Sequence, residues 1–201
     1  MSFSARLASS FFGPLRGKTS SFVVGGREAN ILLAEVAISL ATLTGDGCAV
    51  LDLDALYSSN SDRIFGGLPA AVARSTTIHV PEPDSSVEME LSKLFATTAK
   101  VLVIDSLNSL HHLLSSDDAR SRSRKLAFAV ASLSYLARTD RRAVLFTMYK
   151  RERPLRTAAR SIADLADLKI SVKADESGVS MECERRSIWP GGRFSVPLRV
   201  P

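Results

Sequence analysis

The first 150 residues alternate between short apolar runs and longer amphipathic runs. Apolar runs that end near glycine, proline or aspartate predict five strands, at 21–26, 48–53, 76–80, 100–105 and 143–147. Apolar residues at helical spacing predict helices between the strands, at 31–43, 61–74, 87–95 and 126–137. Ser85 and Glu88 have the spacing of a capping box at the start of the third helix. Strands separated by such helices form βαβ units, so we expect a mostly parallel, twisted α/β sheet flanked by helices.

The pattern changes after about residue 167. Three runs of alternating apolar and polar residues follow, at 168–173, 179–186 and 193–200. The turn sequences Asp175–Gly178 and 190–192 separate them, which is typical of successive antiparallel strands. We therefore expect the parallel sheet to end in a C-terminal antiparallel extension.

The length of 201 residues and a hydrophobic content of 45% are sufficient for one domain with a substantial core. No internal repeat or long linker divides the chain, so we expect a single domain over residues 1–201, with 1–16 as a flexible N-terminal segment. No apolar run approaches the roughly 18 residues that a membrane span needs, and the N-terminus lacks the apolar segment of a secretory signal. Cys48 and Cys183 are too few for a disulfide framework or a zinc site. These features predict an intracellular protein that does not bind membranes.

The net charge of +5 is unevenly distributed along the chain. Residues 1–119 carry 8 basic and 13 acidic side chains, residues 120–160 carry 12 basic and 2 acidic, and residues 161–201 carry six of each. The whole positive excess therefore lies within 120–160. Such a stretch is a candidate footprint for a polyanion, and its alternative interpretation is the solvated face of a helix.

Polar residues follow three of the predicted strands, where a doubly wound sheet binds its ligand. They are Gly25, Gly26, Arg27, Glu28 and Asn30 after the first strand, Asp52 and Asp54 after the second, and Asp105 after the fourth. Residues 101–105, an apolar run that ends in one carboxylate, have the form of a Walker B segment. Such a segment delivers its carboxylate to a magnesium-bound triphosphate.

The order of strand, glycine turn, helix, distant apolar strand and aspartate resembles the RecA/RadA recombinase family, which includes the KaiC-like ATPases and the recombinase paralogs. The resemblance runs from about residue 17 to residue 200 and implies a RecA-like core fold. The resemblance also implies that residues 18–26 enter the phosphate loop and that Asp54 replaces a catalytic glutamate. It further implies that 126–138 form the helix after Walker B and that 143–148 form the strand whose end senses the γ-phosphate.

The phosphate loop departs from the family's pattern. A working loop has the sequence G-x-x-x-x-G-K-[ST], in which the amides bind the phosphates and the lysine reaches the β and γ positions. Here the glycine turn is short, lacks a lysine and is followed by Glu28, which would repel a polyphosphate. The segment Gly13–Thr19 also contains the sequence glycine-lysine-threonine, but only three residues separate its two glycines, where the pattern has four. It leads into a strand, so it lacks the helix N-terminus whose amides would converge on a phosphate.

We therefore predict a degenerate nucleotide site without a cofactor. It comprises Gly25, Gly26, Arg27, Asn30, Asp54 and Asp105. In a purely structural interpretation, Asp105 caps the end of a strand and Asp54 is a turn residue. Met148 stands where active members of the family carry a polar sensor, which favours a site that does not hydrolyse ATP. His111 and His112 are adjacent, so their side chains diverge on a helix and do not suit a metal ion.

Under the resemblance, the segments after Walker B and after the next strand are the family's two DNA-contacting loops. They correspond to 115–125 and 149–160, and both overlap the basic stretch. This implies DNA contacts by Arg120, Arg122, Arg124, Lys125, Lys150, Arg151, Arg153, Arg156 and Arg160. Contacts to phosphates would make the affinity depend strongly on salt. Tyr149 either stacks on an unpaired base or closes the edge of the sheet.

These features together predict a non-catalytic RecA/RadA paralog. It would bind DNA, preferentially single-stranded, and assist an active recombinase in homologous recombination and DNA repair, as a homodimer or as a heterodimer with another paralog. One alternative is an active KaiC-like or RadA-like ATPase that binds ATP and magnesium through a divergent loop around Arg27 and Asn30. Another is a structural subunit whose basic loops bind an acidic protein. The compartment would be the cytoplasm or nucleoid of a prokaryote, or the nucleus of a eukaryote.

Overall fold

The computed structural model of the chain describes residues 15–44, 47–66, 68, 70–116, 118–149, 165–175, 178–183 and 193–196. Its strands are β1 (Lys18–Val24), β2 (Cys48–Asp52), β3 (Thr76–His79), β4 (Val101–Asp105), β5 (Ala143–Tyr149), β6 (Leu168–Asp175), β7 (Gly178–Cys183) and β8 (Arg193–Val196). Its helices are α1 (Arg27–Thr44), α2 (Leu56–Ser59), α3 (Ser61–Phe65), α4 (Ala70–Arg74), α5 (Val87–Ala96), α6 (Leu107–Leu113) and α7 (Ala119–Asp140).

All eight strands belong to one sheet, in the order β3-β2-β4-β5-β1-β6-β7-β8. The six strands from β3 to β6 pair in parallel, and β7 and β8 continue the sheet antiparallel. The predicted parallel sheet with an antiparallel extension is therefore confirmed. One boundary of the prediction is wrong, because β6 is the last parallel strand and only β7 and β8 form the extension. β6 pairs with β1, with Ser20 opposite Leu168.

Alternate residues of the central strands face two different helical layers. In β4, Val101 and Val103 pack in the cluster that contains α1, whereas Leu102 and Ile104 pack with α5, α6 and α7. This alternation follows from the two-residue period of a strand and gives three layers, helix on sheet on helix. The predicted N-terminal segment 1–16 lies outside the described residues except at its end, where Leu15 is buried.

One predicted helix boundary and one predicted cap are wrong. α7 begins at Ala119, not near residue 126, so residues 119–125 of the predicted loop 115–125 form the first two turns of a helix. The carboxylate of Asp118 caps this helix by accepting a hydrogen bond of 2.8 Å from the Ser121 amide. α5 is capped by Ser86 and not by Ser85, since the Ser86 hydroxyl accepts from the Met89 amide at 3.3 Å.

The predicted helix at 61–74 consists of the short helices α3 and α4, and α2 precedes them. α1 is buried on nearly every side, in agreement with its predominantly apolar sequence. Within the described ranges, no helix combines the length and the hydropathy that are needed to cross a bilayer.

Candidate functional site

Only two residues, Gly25 and Gly26, connect β1 to α1. The Gly25 amide donates a hydrogen bond of 2.9 Å to the carbonyl of Val172 in β6. A Cβ atom on Gly25 would lie 3.3 Å from that carbonyl oxygen, so β6 approaches closely here. α1 follows immediately, because the Asn30 amide already bonds to the Gly26 carbonyl at 3.1 Å. The chain thus passes from strand to helix without a loop, and β6 already engages the first amide of the connection.

The charged residues that follow the connection are only partly described. Arg27 is the first residue of α1, and its predicted side-chain role lies outside the described part of the structure. The Glu28 carboxylate forms an ion pair of 2.5 Å with the guanidinium of Arg63 in α3. Both side chains are more than half exposed to solvent. The negative charge that the sequence places beside the connection therefore has a cationic neighbour within the chain.

Asp105 is buried at the end of β4, at the carboxyl edge of the sheet. The hydroxyl of Thr147 in β5 donates a hydrogen bond to its Oδ1 atom. Burial raises the pKa of Asp105 from 3.8 to about 7. Thr147 and Asn30 counter this rise by favouring the ionised form, whereas the charges of Asp54 and Asp52 add to it. Burial therefore has the largest influence on the Asp105 carboxyl, and it favours the protonated form.

Asn30 and Tyr149 close the same edge of the sheet. The buried amide of Asn30, in the first turn of α1, donates a hydrogen bond of 2.7 Å to the Tyr149 hydroxyl at the end of β5. Burial raises the pKa of Tyr149, and the charge of the Asp105 carboxylate raises it further, so Tyr149 remains a neutral phenol. This contact agrees with the interpretation of Tyr149 as a residue that closes the sheet edge.

The two carboxylates after β2 have different surroundings. Asp52 is buried, and its Oδ2 atom accepts hydrogen bonds from the amide and the hydroxyl of Ser58, at 2.8 and 2.9 Å. Asp54 is exposed and accepts a hydrogen bond from the Ser109 hydroxyl in α6. The structure thus brings the predicted residues Asn30, Asp54 and Asp105 to one edge. Across the described residues, no three or more histidine, cysteine or acidic side chains are arranged to hold a metal ion.

Lys18, which precedes the glycine turn in the sequence, lies at the amino end of its strand, away from the carboxyl edge of the sheet. Lys18 begins β1, so it is about 20 Å along the strand from Gly25. The adjacent Thr19 is buried, and both its amide and its hydroxyl donate to the Asp167 carboxylate at 2.9 Å. Residues 18 and 19 therefore continue into a strand, as the sequence predicts, and do not join the cluster around Asp105.

The four predicted DNA contacts at the start of α7 divide into two pairs. Arg120 and Arg124 are exposed and make no hydrogen bond or ion pair with another described residue. Arg122 donates a hydrogen bond of 3.2 Å to the Ser116 carbonyl. Lys125 forms an ion pair of 3.1 Å with Glu88. Arg122 and Lys125 therefore stabilise the connection between α6 and α7, while the exposed side chains of Arg120 and Arg124 have no partner among the described residues.

Pairing also reduces the positive charge at the other end of α7. Arg138 lies 3.1 Å from the Asp167 carboxylate, and Arg142 lies 2.6 Å from the Asp140 carboxylate. The remaining predicted DNA contacts fall outside the described residues: Lys150, Arg151, Arg153, Arg156 and Arg160.

Three residues that shape the carboxyl edge were not predicted from the sequence. Thr147 is the only polar residue in the run 143–148, and a lone hydroxyl in a buried strand indicates a specific partner such as Asp105. Ser109 and Arg63 give no comparable signal, because serine and arginine are common on exposed helices. Their contacts with Asp54 and Glu28 depend on how separate helices pack together.

No family model matches the chain, and no curated protein matches it. Among solved structures, the crystal structure of the RadB recombinase matches with a TM-score of 0.58 and 14% sequence identity, and the match covers 85% of this chain and 82% of that one. A KaiC-like protein from the hyperthermophilic archaeon Pyrococcus horikoshii matches with a TM-score of 0.61 and 17% identity, covering 90% of each chain. At these identities the likeness concerns the fold. The chain has a RecA-like core fold, as the resemblance implied.

Proposed function

We propose that this chain, with its RecA-like core, is a non-catalytic relative of the RecA/RadA recombinases. It binds DNA, with a preference for single strands, and assists an active recombinase in homologous recombination and DNA repair. The observation that carries the proposal is the connection between β1 and α1. It is two residues long, it contains no lysine, and β6 already binds the Gly25 amide.

The residues at the carboxyl edge do not fit a magnesium-bound triphosphate. Such a ligand requires several converging amides, a lysine that reaches the β and γ phosphates, and an ionised carboxylate for the metal. The Gly25–Gly26 connection supplies neither a wrapped loop nor the lysine. These features support a role that needs no nucleotide cofactor.

The distribution of charge supports DNA as a partner. Arg120 and Arg124 are exposed at the start of α7, and residues 150–160 carry five basic side chains and one acidic one. Contacts from these side chains to phosphates would release counterions and would be largely independent of base sequence. The preference for single strands rests on the family resemblance.

The expected partners are an active recombinase or another paralog, in a homodimer or heterodimer. The expected compartment is the cytoplasm or nucleoid of a prokaryote, or the nucleus of a eukaryote. Both expectations follow from the proposed role in recombination.

A salt-titrated binding assay tests the proposal. The full chain is mixed with labelled single-stranded, duplex and branched DNA, with and without ATP and magnesium, and fluorescence anisotropy is measured. We expect single-stranded DNA to bind most tightly, with an affinity that falls roughly 10- to 100-fold between about 50 and 200 mM salt. ATP should leave the affinity unchanged.

Charge reversal identifies the residues that bind. The triple variant Arg151→Glu, Arg153→Glu, Arg156→Glu should weaken binding by at least about ten-fold and reduce the salt dependence. Arg74→Glu is the matched control, because Arg74 is an exposed arginine on α4, in the opposite helical layer from α7. The absence of DNA binding by the unmodified chain at low salt would refute the proposed function.

A further inference from the structure

The outward side of α7 carries large apolar side chains that the protein leaves uncovered. Phe128 is 74% exposed and Tyr135 is 68% exposed. Ala131 lies between them, Arg124 lies one turn before Phe128, and Arg138 lies one turn after Tyr135. We call these five residues the α7 stripe. Their separations of four, three, four and three residues place them on one side of the helix, with the spacing of a seam between packed helices.

The inward side of the same helix is fully used. Leu126, Val130, Leu133 and Ala137 are buried in the cluster that lies between α7 and the sheet. α7 therefore does not need Phe128 or Tyr135 for its own packing. Single exposed apolar residues are common on protein surfaces, but two aromatic rings two turns apart on one helix side form a continuous apolar strip.

We infer that the α7 stripe binds an amphipathic helix of a partner protein, and that this helix carries an acidic residue at each end of its apolar face. Its apolar side chains would cover Phe128 and Tyr135, and its carboxylates would meet Arg124 and Arg138. Within Ala119–Asp140 the only carboxylate is Asp140, which is paired with Arg142 at 2.6 Å. Arg138 contacts Asp167, but its side chain is 67% exposed and can accept a second carboxylate.

Charge disfavours a second copy of this chain as the occupant. If two α7 helices packed antiparallel, Arg124 of one copy would face Arg138 of the other. If they packed parallel, like residues would face each other. Both arrangements bring guanidinium groups together at the ends of the seam, which opposes association. A helix with acidic residues at these positions removes the repulsion.

The shape of the charge pattern disfavours nucleic acid. Arg124 and Arg138 are about 21 Å apart along the helix, and the side chains between them on the stripe are uncharged. Arg120 extends the positive charge one turn before Arg124, but beyond Arg124 the stripe carries no cation before Arg138. A nucleic-acid strand carries a charge about every 3.4 Å and needs cations along its path. An apolar centre with a charged rim is instead the usual anatomy of a protein interface.

Two helical peptides of about three heptads test the inference. Each peptide has an internal cross-link that stabilises its helix, and each carries leucine at the apolar a and d positions of the heptad. One carries glutamate at the positions that face Arg124 and Arg138, and the other carries lysine there. Anisotropy with the full chain should show that the glutamate peptide binds at least about ten-fold more tightly than the lysine peptide.

Variants connect the binding to the stripe. The double variant Phe128→Ser, Tyr135→Ser should weaken the glutamate peptide by at least about ten-fold. Val80→Ser, which alters an exposed valine outside α7, is the control and should have no effect. Arg124→Glu should reduce the preference for the glutamate peptide and improve binding of the lysine peptide, so the test remains decisive if the double variant folds poorly.

Three results would overturn the inference. The first is equal binding of the two peptides, or binding that the double variant leaves intact. The second is a dimer of the unmodified chain in sedimentation experiments that the double variant abolishes, since the occupant would then be a second copy. The third is loss of single-stranded DNA binding in the double variant, which would make the stripe a nucleic-acid surface. Arg124 belongs both to the stripe and to the proposed DNA contacts, so the two proposals are separated by other residues. The double variant of Phe128 and Tyr135 tests the stripe, and the triple variant of Arg151, Arg153 and Arg156 tests DNA binding.

Discussion

The carboxyl edge of the sheet and the α7 stripe differ in how far the protein engages their side chains. At the edge, Asp105 and Asn30 are buried, and Thr147 and Tyr149 bond to them. On the stripe, Phe128 is largely exposed. The side chains at the edge are therefore held by contacts with one another, whereas those of the stripe contribute little to folding and remain accessible to a partner.

The two regions also differ in charge. At the carboxyl edge, the charges of Asp52 and Asp54 raise the pKa of Asp105. The stripe has an arginine at each end and no carboxylate. A polyphosphate is repelled by the first arrangement and an acidic partner is attracted by the second. In this RecA-like core, the positive charge that favours an anionic ligand therefore lies on the outward side of α7 and not at the carboxyl edge of the sheet.

The largest effect on stability is expected from Asp105→Asn. The pKa of Asp105 is about 7 in the folded chain, above its value of 3.8 in the unfolded chain. Between these values the folded state binds more protons, so stability falls as pH rises from about 4 to about 7 and levels off above that. At pH 8 the ionised, buried carboxylate costs at most roughly 4 kcal/mol. The variant removes this cost and should be more stable than the unmodified chain at pH 8.

Urea unfolding at pH 5 and pH 8 measures this effect. Asp105→Asn should flatten the pH dependence, while the control Asp62→Asn, at an exposed carboxylate of α3, should change the unfolding free energy by less than about 0.5 kcal/mol. A loss of stability in Asp105→Asn at pH 8 would show that the buried carboxylate stabilises the fold, contrary to this account.

A smaller effect is expected from Thr147→Val, which keeps the shape of the side chain and removes its hydroxyl. Asp105 then loses its hydrogen bond within the sheet, which should destabilise the fold by about 1–3 kcal/mol at pH 8. Thr139→Val removes the hydroxyl of an exposed threonine on α7 and serves as the matched control. Equal unfolding curves for the two variants would mean that the edge contact contributes nothing to folding.

The smallest effect on stability is expected on the stripe. Phe128→Ser and Tyr135→Ser should each change the unfolding free energy by no more than about 0.5 kcal/mol, because these side chains are exposed and serine has a similar helix propensity. Thermal and urea unfolding provide the measurement. A loss of several kcal/mol in either variant would show that the stripe supports the fold, and the contrast between the two regions would disappear.

Local patterns in the sequence predict the order of β1 to β5 and the helices between them, because each apolar run carries its own periodicity. The direction of β6 is not predictable in this way, since alternation along a strand does not specify its neighbour. The start of α7 is missed because residues 119–125 contain only alanine, serine and charged residues, so no apolar period marks the helix. Asp118 was the available signal, as an acidic residue in a position suited to a helix cap.

The sequence predicts those parts of the candidate site that lie at strand ends. It does not predict the contacts that depend on how strands and helices pack together. Asp105 and Asn30 follow strands, so their meeting at one edge follows from a parallel sheet. The bond between Asn30 and Tyr149 requires β5 to lie beside β1, and that order is a property of the whole sheet. The exposure of Phe128 likewise depends on which side of α7 faces the sheet.

Calorimetric titration of ATP with magnesium into the full chain distinguishes a degenerate nucleotide site from a working one. We expect no binding up to about 1 mM nucleotide, because the connection between β1 and α1 offers no loop and no lysine to the phosphates. Micromolar binding that Asp105→Asn abolishes would contradict this expectation.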